Sequence, residues 1–187
     1  MNLPNKLTVS RLALVVLFVV CFLSDFHFRF SFALAIFTVA AVTDYLDGAI
    51  ARGRGLVTDF GKLMDPLADK VLTASAFICL TGVAAVPVWA VIVIVSREFL
   101  ITGLRSLASS KALVIPADQL GKHKTAWQMI TIIYFLLLLA IAEWQDDAWL
   151  KSAWAVGVHA LVNLTVFLTV YSGAAYLWKN RRLIASA

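Results

Sequence analysis

Apolar residues run along most of the chain and are interrupted at intervals by short polar segments. A helix needs about 20 apolar residues to cross the hydrocarbon layer of a bilayer, and six stretches of the sequence are long enough. They cover residues 7–24, 31–52, 63–83, 86–107, 124–142 and 152–178. The pattern therefore predicts an all-α fold: a polytopic membrane protein with six transmembrane helices in a single domain, 1–187.

The positions of lysine and arginine predict how these helices are oriented. If the N-terminus is inside, only Arg29 and Lys151 fall on the outer side, and Arg97 lies within the fourth span. The rest of the 16 lysines and arginines lie on the inner side or at its helix ends. Because basic loops stay in the cytoplasm, both termini are predicted to be cytoplasmic.

The composition agrees with a lipid environment. Hydrophobic residues make up 61% of the chain, charged residues 14%, and the mean hydropathy is +0.88. A soluble domain has about 45–50% apolar residues. The net charge of +5 therefore favours anionic membrane lipids over nucleic acid as the partner of the basic residues. Cys21 and Cys79 lie in apolar runs, so neither a disulfide nor a thiolate metal site is expected.

Acidic residues are concentrated at the inner ends of the second and third predicted helices. One face of the second helix is formed, at positions i, i+3, i+4 and i+7, by Asp44, Asp47, Gly48 and Ala51. One face of the third is formed, at i, i+4 and i+8, by Gly61, Asp65 and Asp69. The link 53–60 is short, so the two helices are predicted to be antiparallel neighbours whose carboxylates meet.

Four carboxylates in one place favour a metal site. Two unit charges about 4 Å apart repel by about 4 kcal/mol at an effective dielectric constant near 20. The hard divalent cations Mg²⁺ and Mn²⁺ remove that repulsion. Small residues on the same face leave room for a nucleotide diphosphate, so the pattern favours metal-assisted phosphoryl-group transfer. The alternative, ordinary interfacial acids balanced by nearby basic residues, explains one or two aspartates better than four.

The segment from Asp44 to Asp69 reads D-x2-D-G-x2-A-R-x8-G-x3-D-x3-D. It resembles the signature of the CDP-alcohol phosphotransferases, six-helix membrane enzymes that displace CMP from a CDP-linked alcohol. The resemblance implies that Asp44, Asp47, Asp65 and Asp69 bind metal and that Asp69 also deprotonates the incoming hydroxyl. It further implies contacts to CDP-diacylglycerol from Asn5, Thr8, Gly48, Ala51 and Arg52. A homodimer formed through transmembrane helices is also implied.

Basic residues near the inner surface predict a phosphate site. Lys122, Lys124 and Thr125 stand at the start of the fifth span, where a helix N-terminus adds its own attraction for anions. Arg105 ends the preceding span and could face the same substrate. Positive-inside anchoring is the alternative explanation for the lysines.

A charge pair lies deeper in the fourth span. Arg97 and Glu98 are about 10–12 Å from Arg105 along the helix, because each residue adds about 1.5 Å. Burying such a pair is costly, so it is expected either to face a wet cavity or to brace another element.

Segments 96–105 and 121–128 are similar to those of the family's phosphatidylglycerophosphate synthases more than to those of members using inositol phosphate, serine or choline. The implied reaction converts CDP-diacylglycerol and sn-glycerol 3-phosphate to phosphatidylglycerol phosphate and CMP, at the cytoplasmic face of the bacterial inner membrane. One alternative is another acceptor, as in cardiolipin or phosphatidylinositol phosphate synthases. A divalent-cation transporter is the alternative from another class, but it predicts acids near the bilayer midplane and a continuous polar path.

Overall fold

The structure is a computed structural model that describes residues 3–54, 59–110, 119–145 and 147–181. Side chains are described for residues 9–43, 70–109, 120–145 and 147–181. Within these ranges the chain is helical apart from short turns and contains no β-strand. The all-α class predicted from the sequence is therefore confirmed for the described part of the chain.

Helices follow one another with short connections. They are α1 (Leu3–Leu23), α2 (Arg29–Arg54), α3 (Asp59–Gly82), α4 (Val88–Ser110), α5 (Gln119–Ala142), α6 (Ala148–Val156), a π-helical segment (Gly157–Val162) and α7 (Asn163–Lys179). The last three elements form one continuous helical stretch, Ala148–Lys179. The predicted sixth span is therefore helical over its length but contains a π-helical interruption that the sequence pattern did not predict.

Length and apolar character allow two of the described helical stretches to cross a membrane, Leu120–Ala142 and Ala148–Lys179. Shorter apolar stretches occur at Val9–Leu23, Arg29–Thr43 and Lys70–Gly82. The apolar part of α2 ends where its acidic residues begin, and α4 is interrupted by Arg97 and Glu98. The six-span topology predicted from the sequence stays a prediction beyond these two stretches.

Many large apolar side chains are exposed, and several polar ones are buried between helices. Large apolar residues such as Val16, Leu23 and Phe167 are exposed, whereas Thr131 and Thr165 are fully buried. The hydroxyls of these two threonines lie 2.8 Å apart and join α5 to α7. A bilayer solvates apolar side chains and leaves polar groups to find partners between helices, so this arrangement suits a membrane protein.

Aromatic rings fill the apolar core where α1, α2, α3 and α5 meet. Phe18 and Phe37 are fully buried, with ring centroids 5.8 Å apart, and Phe77 and Phe135 join the same core from α3 and α5. Lipid tails are as apolar as these rings, so close van der Waals packing rather than exclusion of water holds the helices together.

The π-helical segment begins where α5 presses against the backbone. A Cβ atom added to Gly157 would lie 2.5 Å from Cε1 of Tyr134, so only glycine fits at this position. The Tyr134 hydroxyl donates to the carbonyl oxygen of Ala153 at 2.7 Å, which fixes the ring against the preceding turn. Such single π-helical turns occur where a side chain intrudes on a regular helix.

A carboxylate caps the N-terminus of α2. Oε1 of Glu143, just after α5, accepts a hydrogen bond from the backbone N–H of Phe30 at 2.6 Å. Oε2 accepts from the backbone N–H and the hydroxyl of Ser31, at 2.9 and 2.7 Å. The first N–H groups of a helix lack partners within the helix and carry a partial positive charge. Glu143 satisfies both needs and fastens the end of α5 to the start of α2.

Candidate active site

The four aspartates predicted to bind metal lie on two helices that contact each other. Asp44 and Asp47 belong to α2, and Asp65 and Asp69 belong to α3. The backbone is helical at all four positions, as the spacing argument requires. Their side chains lie outside the described residues, so the meeting of the carboxylates stays a prediction.

The residues predicted to contact CDP-diacylglycerol lie on neighbouring helices. Asn5 and Thr8 belong to α1, and Gly48, Ala51 and Arg52 belong to α2. Helix α1 contacts both α2 and α3, so the helices that carry these residues and the aspartates form one group. These side chains too are outside the described set, and their roles stay predictions.

A buried ionic cluster joins α4, α5 and α7. The carboxylate of Glu98 on α4 accepts hydrogen bonds from the Lys124 ammonium on α5 and, at 3.2 Å, from Nη1 of Arg97. Nη2 of Arg97 donates to the Ser172 hydroxyl on α7 at 3.1 Å. The side chain of Lys124 is 3% exposed, and those of Arg97 and Glu98 are each 14% exposed. The charge pair noticed in the sequence therefore braces two other helices.

Gly173 lets α7 approach this cluster closely. A Cβ atom at this position would lie 3.0 Å from Cγ of Arg97 and 3.4 Å from its Nε. The Arg97 stem therefore lies against the backbone of α7, and the absence of a side chain at Gly173 keeps that place open. The residue next to Gly173 is Ser172, whose hydroxyl accepts the hydrogen bond from Nη2 of Arg97.

The ionic cluster lies beside the aspartate-bearing helix. Lys70 directly follows Asp69 on α3. Helix α3 contacts both α4 and α5. The helix that carries Asp69 is therefore a neighbour of the two helices that hold Glu98 and Lys124.

The residues predicted to bind the acceptor phosphate differ in exposure. Arg105 and Lys122 are exposed, whereas Thr125 is half-buried and its hydroxyl donates to the carbonyl oxygen of Gly121 at 3.1 Å. Lys124 is buried and already paired with the carboxylate of Glu98. Two of the three predicted phosphate-binding cations are therefore open to the surroundings, and the third is part of the buried cluster.

Three buried donors in this region have no hydrogen-bond partner among the described residues. They are Nε of Arg97, Nε2 of Gln128 and the hydroxyl of Tyr176. Gln128 lies one turn beyond Lys124 on α5, and Tyr176 lies one turn beyond Ser172 on α7. Neither residue was predicted from the sequence, although each is a polar residue four positions from a member of the cluster, a spacing that places both on one helix face.

The donor chemistry of the aspartates fits a hard divalent cation. Among the residues whose side chains are described, no group of three or more His, Cys, Asp and Glu residues comes together. The four aspartates of α2 and α3 fall outside that set. Carboxylate oxygens are the ligands preferred by Mg²⁺ and Mn²⁺, so these four residues could hold such an ion.

Comparison with known proteins identifies relatives along nearly the whole chain. The family model described as CDP-alcohol phosphatidyltransferase matches residues 1–171. The chain is 39% identical over 191 residues to a CDP-diacylglycerol–glycerol-3-phosphate 3-phosphatidyltransferase of Bacillus subtilis, covering 96% of this chain and 95% of the relative. It is 36% identical over 175 residues to a protein of the same name from Rickettsia bellii, covering 94% and 93%.

Proposed function

Because the chain belongs to the CDP-alcohol phosphatidyltransferase family, we propose that it transfers the phosphatidyl group of CDP-diacylglycerol to sn-glycerol 3-phosphate. The products are phosphatidylglycerol phosphate and CMP. The observation that carries this proposal is the near full-length similarity to relatives named for this reaction. The signature between Asp44 and Asp69 supplies the same activity class from the residues alone.

Asp44, Asp47, Asp65 and Asp69 would hold Mg²⁺ or Mn²⁺. When bound, the ion neutralises charge on the diphosphate and on the departing phosphate. The support for this assignment is an all-carboxylate donor set on two helices that contact each other. Gly48, Ala51 and Arg52 follow on α2, where small side chains and one cation suit the nucleotide diphosphate. Asn5 and Thr8 on α1 would complete the CDP-diacylglycerol site.

Asp69 would act as the general base. Its carboxylate takes the proton from the 1-hydroxyl of glycerol 3-phosphate, and that oxygen forms a bond to the phosphorus attached to diacylglycerol. The bond from this phosphorus to the bridging diphosphate oxygen breaks, and its electron pair leaves with CMP. Both substrates can occupy the site together, so no covalent enzyme intermediate is required.

Arg105, Lys122 and Thr125 would bind the acceptor phosphate. A phosphate monoester carries about two negative charges near neutral pH, so it needs several cationic or N–H donors. Arg105 and Lys122 are exposed and therefore accessible to a water-soluble substrate. Lys124 would act on the phosphate through the charge of the buried ionic cluster. It lies one turn from Gly121, whose carbonyl oxygen accepts the hydrogen bond of Thr125.

We also propose six membrane spans, cytoplasmic termini, an active site on the inner face of the bacterial inner membrane, and a homodimer. The lysine and arginine distribution supports the orientation. The lipid tails of one substrate must stay in the bilayer while the acceptor arrives from water. A site at the inner helix ends satisfies both requirements.

Incorporation of radiolabelled glycerol 3-phosphate by the purified protein tests the reaction. Label is expected in chloroform-soluble product only when CDP-diacylglycerol and Mg²⁺ are both present. Parallel reactions contain inositol phosphate or phosphatidylglycerol as the labelled acceptor. Conversion of one of these, but not of glycerol 3-phosphate, to a new phospholipid would contradict the proposed acceptor and keep the family. Metal uptake into vesicles without any transferase activity would instead favour a transporter.

A further inference from the structure

Tyr176 on α7 has a hydroxyl group that its surroundings do not satisfy. The residue is 5% exposed, and among the described residues its hydroxyl has no hydrogen-bond partner. Leaving a buried donor unpaired is destabilising, and most buried polar groups in proteins are paired. A phenylalanine would fill the same space without this cost. The hydroxyl therefore calls for a partner from outside the described chain.

The groups around this hydroxyl are donors and positive charges. Arg97 on α4 packs against α7 beside this residue, where a Cβ atom at Gly173 would lie 3.0 Å from its Cγ, and Arg105 lies about two turns further along α4. Arg97 is fixed one turn away, where its Nη2 donates to the Ser172 hydroxyl at 3.1 Å. The Nε–H of Arg97 is also buried without a partner among the described residues. The interface of α4 and α7 thus presents two buried donors, the Tyr176 hydroxyl and Nε of Arg97, that no described group accepts.

An anion with several acceptor oxygens is the ligand that fits such a place. A neutral amide or water would satisfy one donor but would leave Arg105, which pairs with no described carboxylate, uncompensated. A phosphate monoester offers three acceptor oxygens and about two negative charges, which match a phenol and two arginines. A nucleotide diphosphate is expected elsewhere, along α2 and α3, where the aspartates lie.

We propose that the Tyr176 hydroxyl donates a hydrogen bond to the phosphate of the acceptor substrate, beside Arg105. This assignment rests on the proposed function, which makes that acceptor sn-glycerol 3-phosphate. It extends the acceptor site from α4 and α5 to α7, so that three helices close around the phosphate. Arg97 holds α7 in place through Ser172 and is a positioning residue for Tyr176.

Tyr176→Phe tests the proposal because it removes one oxygen atom and keeps the ring. We expect KM for glycerol 3-phosphate to rise about tenfold, the effect of losing one hydrogen bond to a charged group, with KM for CDP-diacylglycerol unchanged. We expect the melting midpoint of the ligand-free protein to stay constant or rise, because an unpaired buried hydroxyl is lost. A purely structural hydroxyl would lower that midpoint.

Two tyrosines of the same protein provide matched controls. Tyr171 is on α7 but 53% exposed, so Tyr171→Phe should change neither KM nor the melting midpoint. The Tyr134 hydroxyl donates to the carbonyl oxygen of Ala153 at 2.7 Å, so Tyr134→Phe should lower the midpoint and leave KM unchanged. Together they separate a substrate contact from a general effect of losing a phenol.

Inorganic phosphate distinguishes failure of this inference from failure of the proposed reaction. Millimolar phosphate should raise the melting midpoint of the wild-type protein, and by a smaller amount that of Tyr176→Phe. If the wild type ignored glycerol 3-phosphate but this difference remained, the reaction would be wrong and the phosphate contact would stand. Equal stabilisation of both proteins, or a lower midpoint with unchanged KM, would overturn the role of Tyr176.

Discussion

Two carboxylates differ in the positive charge around them. They are Glu143, which caps the start of α2, and Glu98, which lies in the buried ionic cluster. Glu143 receives three hydrogen bonds from two successive residues, and the partial charge of a helix end offsets its own. Glu98 receives two cations, and further donors around it remain unpaired among the described residues. A balanced site fastens helices together. An excess of donors also leaves capacity for an anionic ligand.

The largest expected loss of stability comes from removing the negative charge of the ionic cluster. Glu98→Gln leaves Arg97 and Lys124 buried without a counter-charge, which costs about 3–5 kcal/mol when one partner of a buried pair is lost. Thermal and denaturant unfolding of the purified protein in detergent would measure this loss. A second change, Lys124→Met, should restore part of the stability in the Glu98→Gln background. An unchanged unfolding free energy in Glu98→Gln would show that the cluster does not brace the helices.

Asp69→Asn extends the contrast to the acid proposed as the general base. We expect kcat to fall by at least about 10²-fold, the usual contribution of a general base, while the fold and most nucleotide binding are kept. The control is Asp25→Asn, because Asp25 is an exposed acid 3.6 Å from Nη1 of Arg29. Steady-state kinetics on both purified variants would decide. A near-normal kcat for Asp69→Asn removes it as the base.

Replacing an exposed cation should weaken acceptor binding, whereas replacing the buried Lys124 should also reduce stability. Arg105→Ala and Lys122→Ala are expected to raise KM for glycerol 3-phosphate about ten- to a hundredfold, since each removes a charge-assisted hydrogen bond of about 1.5–3 kcal/mol. KM for CDP-diacylglycerol should stay nearly constant. Lys124→Ala should raise KM less and should lower the melting midpoint, because its ammonium pairs with Glu98.

Lys151→Ala provides the control for these three variants. Lys151 is an exposed lysine on α6 and is predicted to lie on the other side of the membrane. Its loss should change neither KM value. A parallel rise of both KM values in Arg105→Ala or Lys122→Ala would identify general anchors of the site rather than acceptor ligands.

The smallest expected effect is at the balanced site. Glu143→Ala removes the cap of α2, and losses of such caps reduce the free energy of unfolding by about 1–2 kcal/mol. Both KM values and kcat should stay as in the wild type, because this residue lies at the opposite end of α2 from its aspartates. Loss of catalysis with normal stability would break the distinction between the two carboxylates.

The apolar pattern was sufficient for the helices and the signature was sufficient for the family. Each predicted span falls on a helix of the structure, and the enzyme class is confirmed by the family model and the named relatives. Both successes depend on local information: a run of apolar residues, or fixed spacing within Asp44–Asp69. The roles of the individual aspartates stay predictions.

Contacts between distant segments could not be predicted in this way. Glu143 directly follows α5, yet it accepts hydrogen bonds from the N–H groups of Phe30 and Ser31, more than 100 residues earlier in the chain. Lys124 looked free to bind phosphate, yet Glu98 holds its ammonium. Nothing in the spacing of either segment specifies such a partner, because it depends on which helices become neighbours.

The π-helical segment Gly157–Val162 sets the rotational phase of everything that follows it. A wider turn accommodates one extra residue, and one residue of a regular helix corresponds to about 100° of rotation. Without that extra residue, Ser172, Gly173 and Tyr176 would turn away from Arg97 by more than a quarter of the helix circumference. The face of α7 that contacts α4 therefore depends on the contact between Gly157 and the ring of Tyr134, several turns earlier in the same helical stretch.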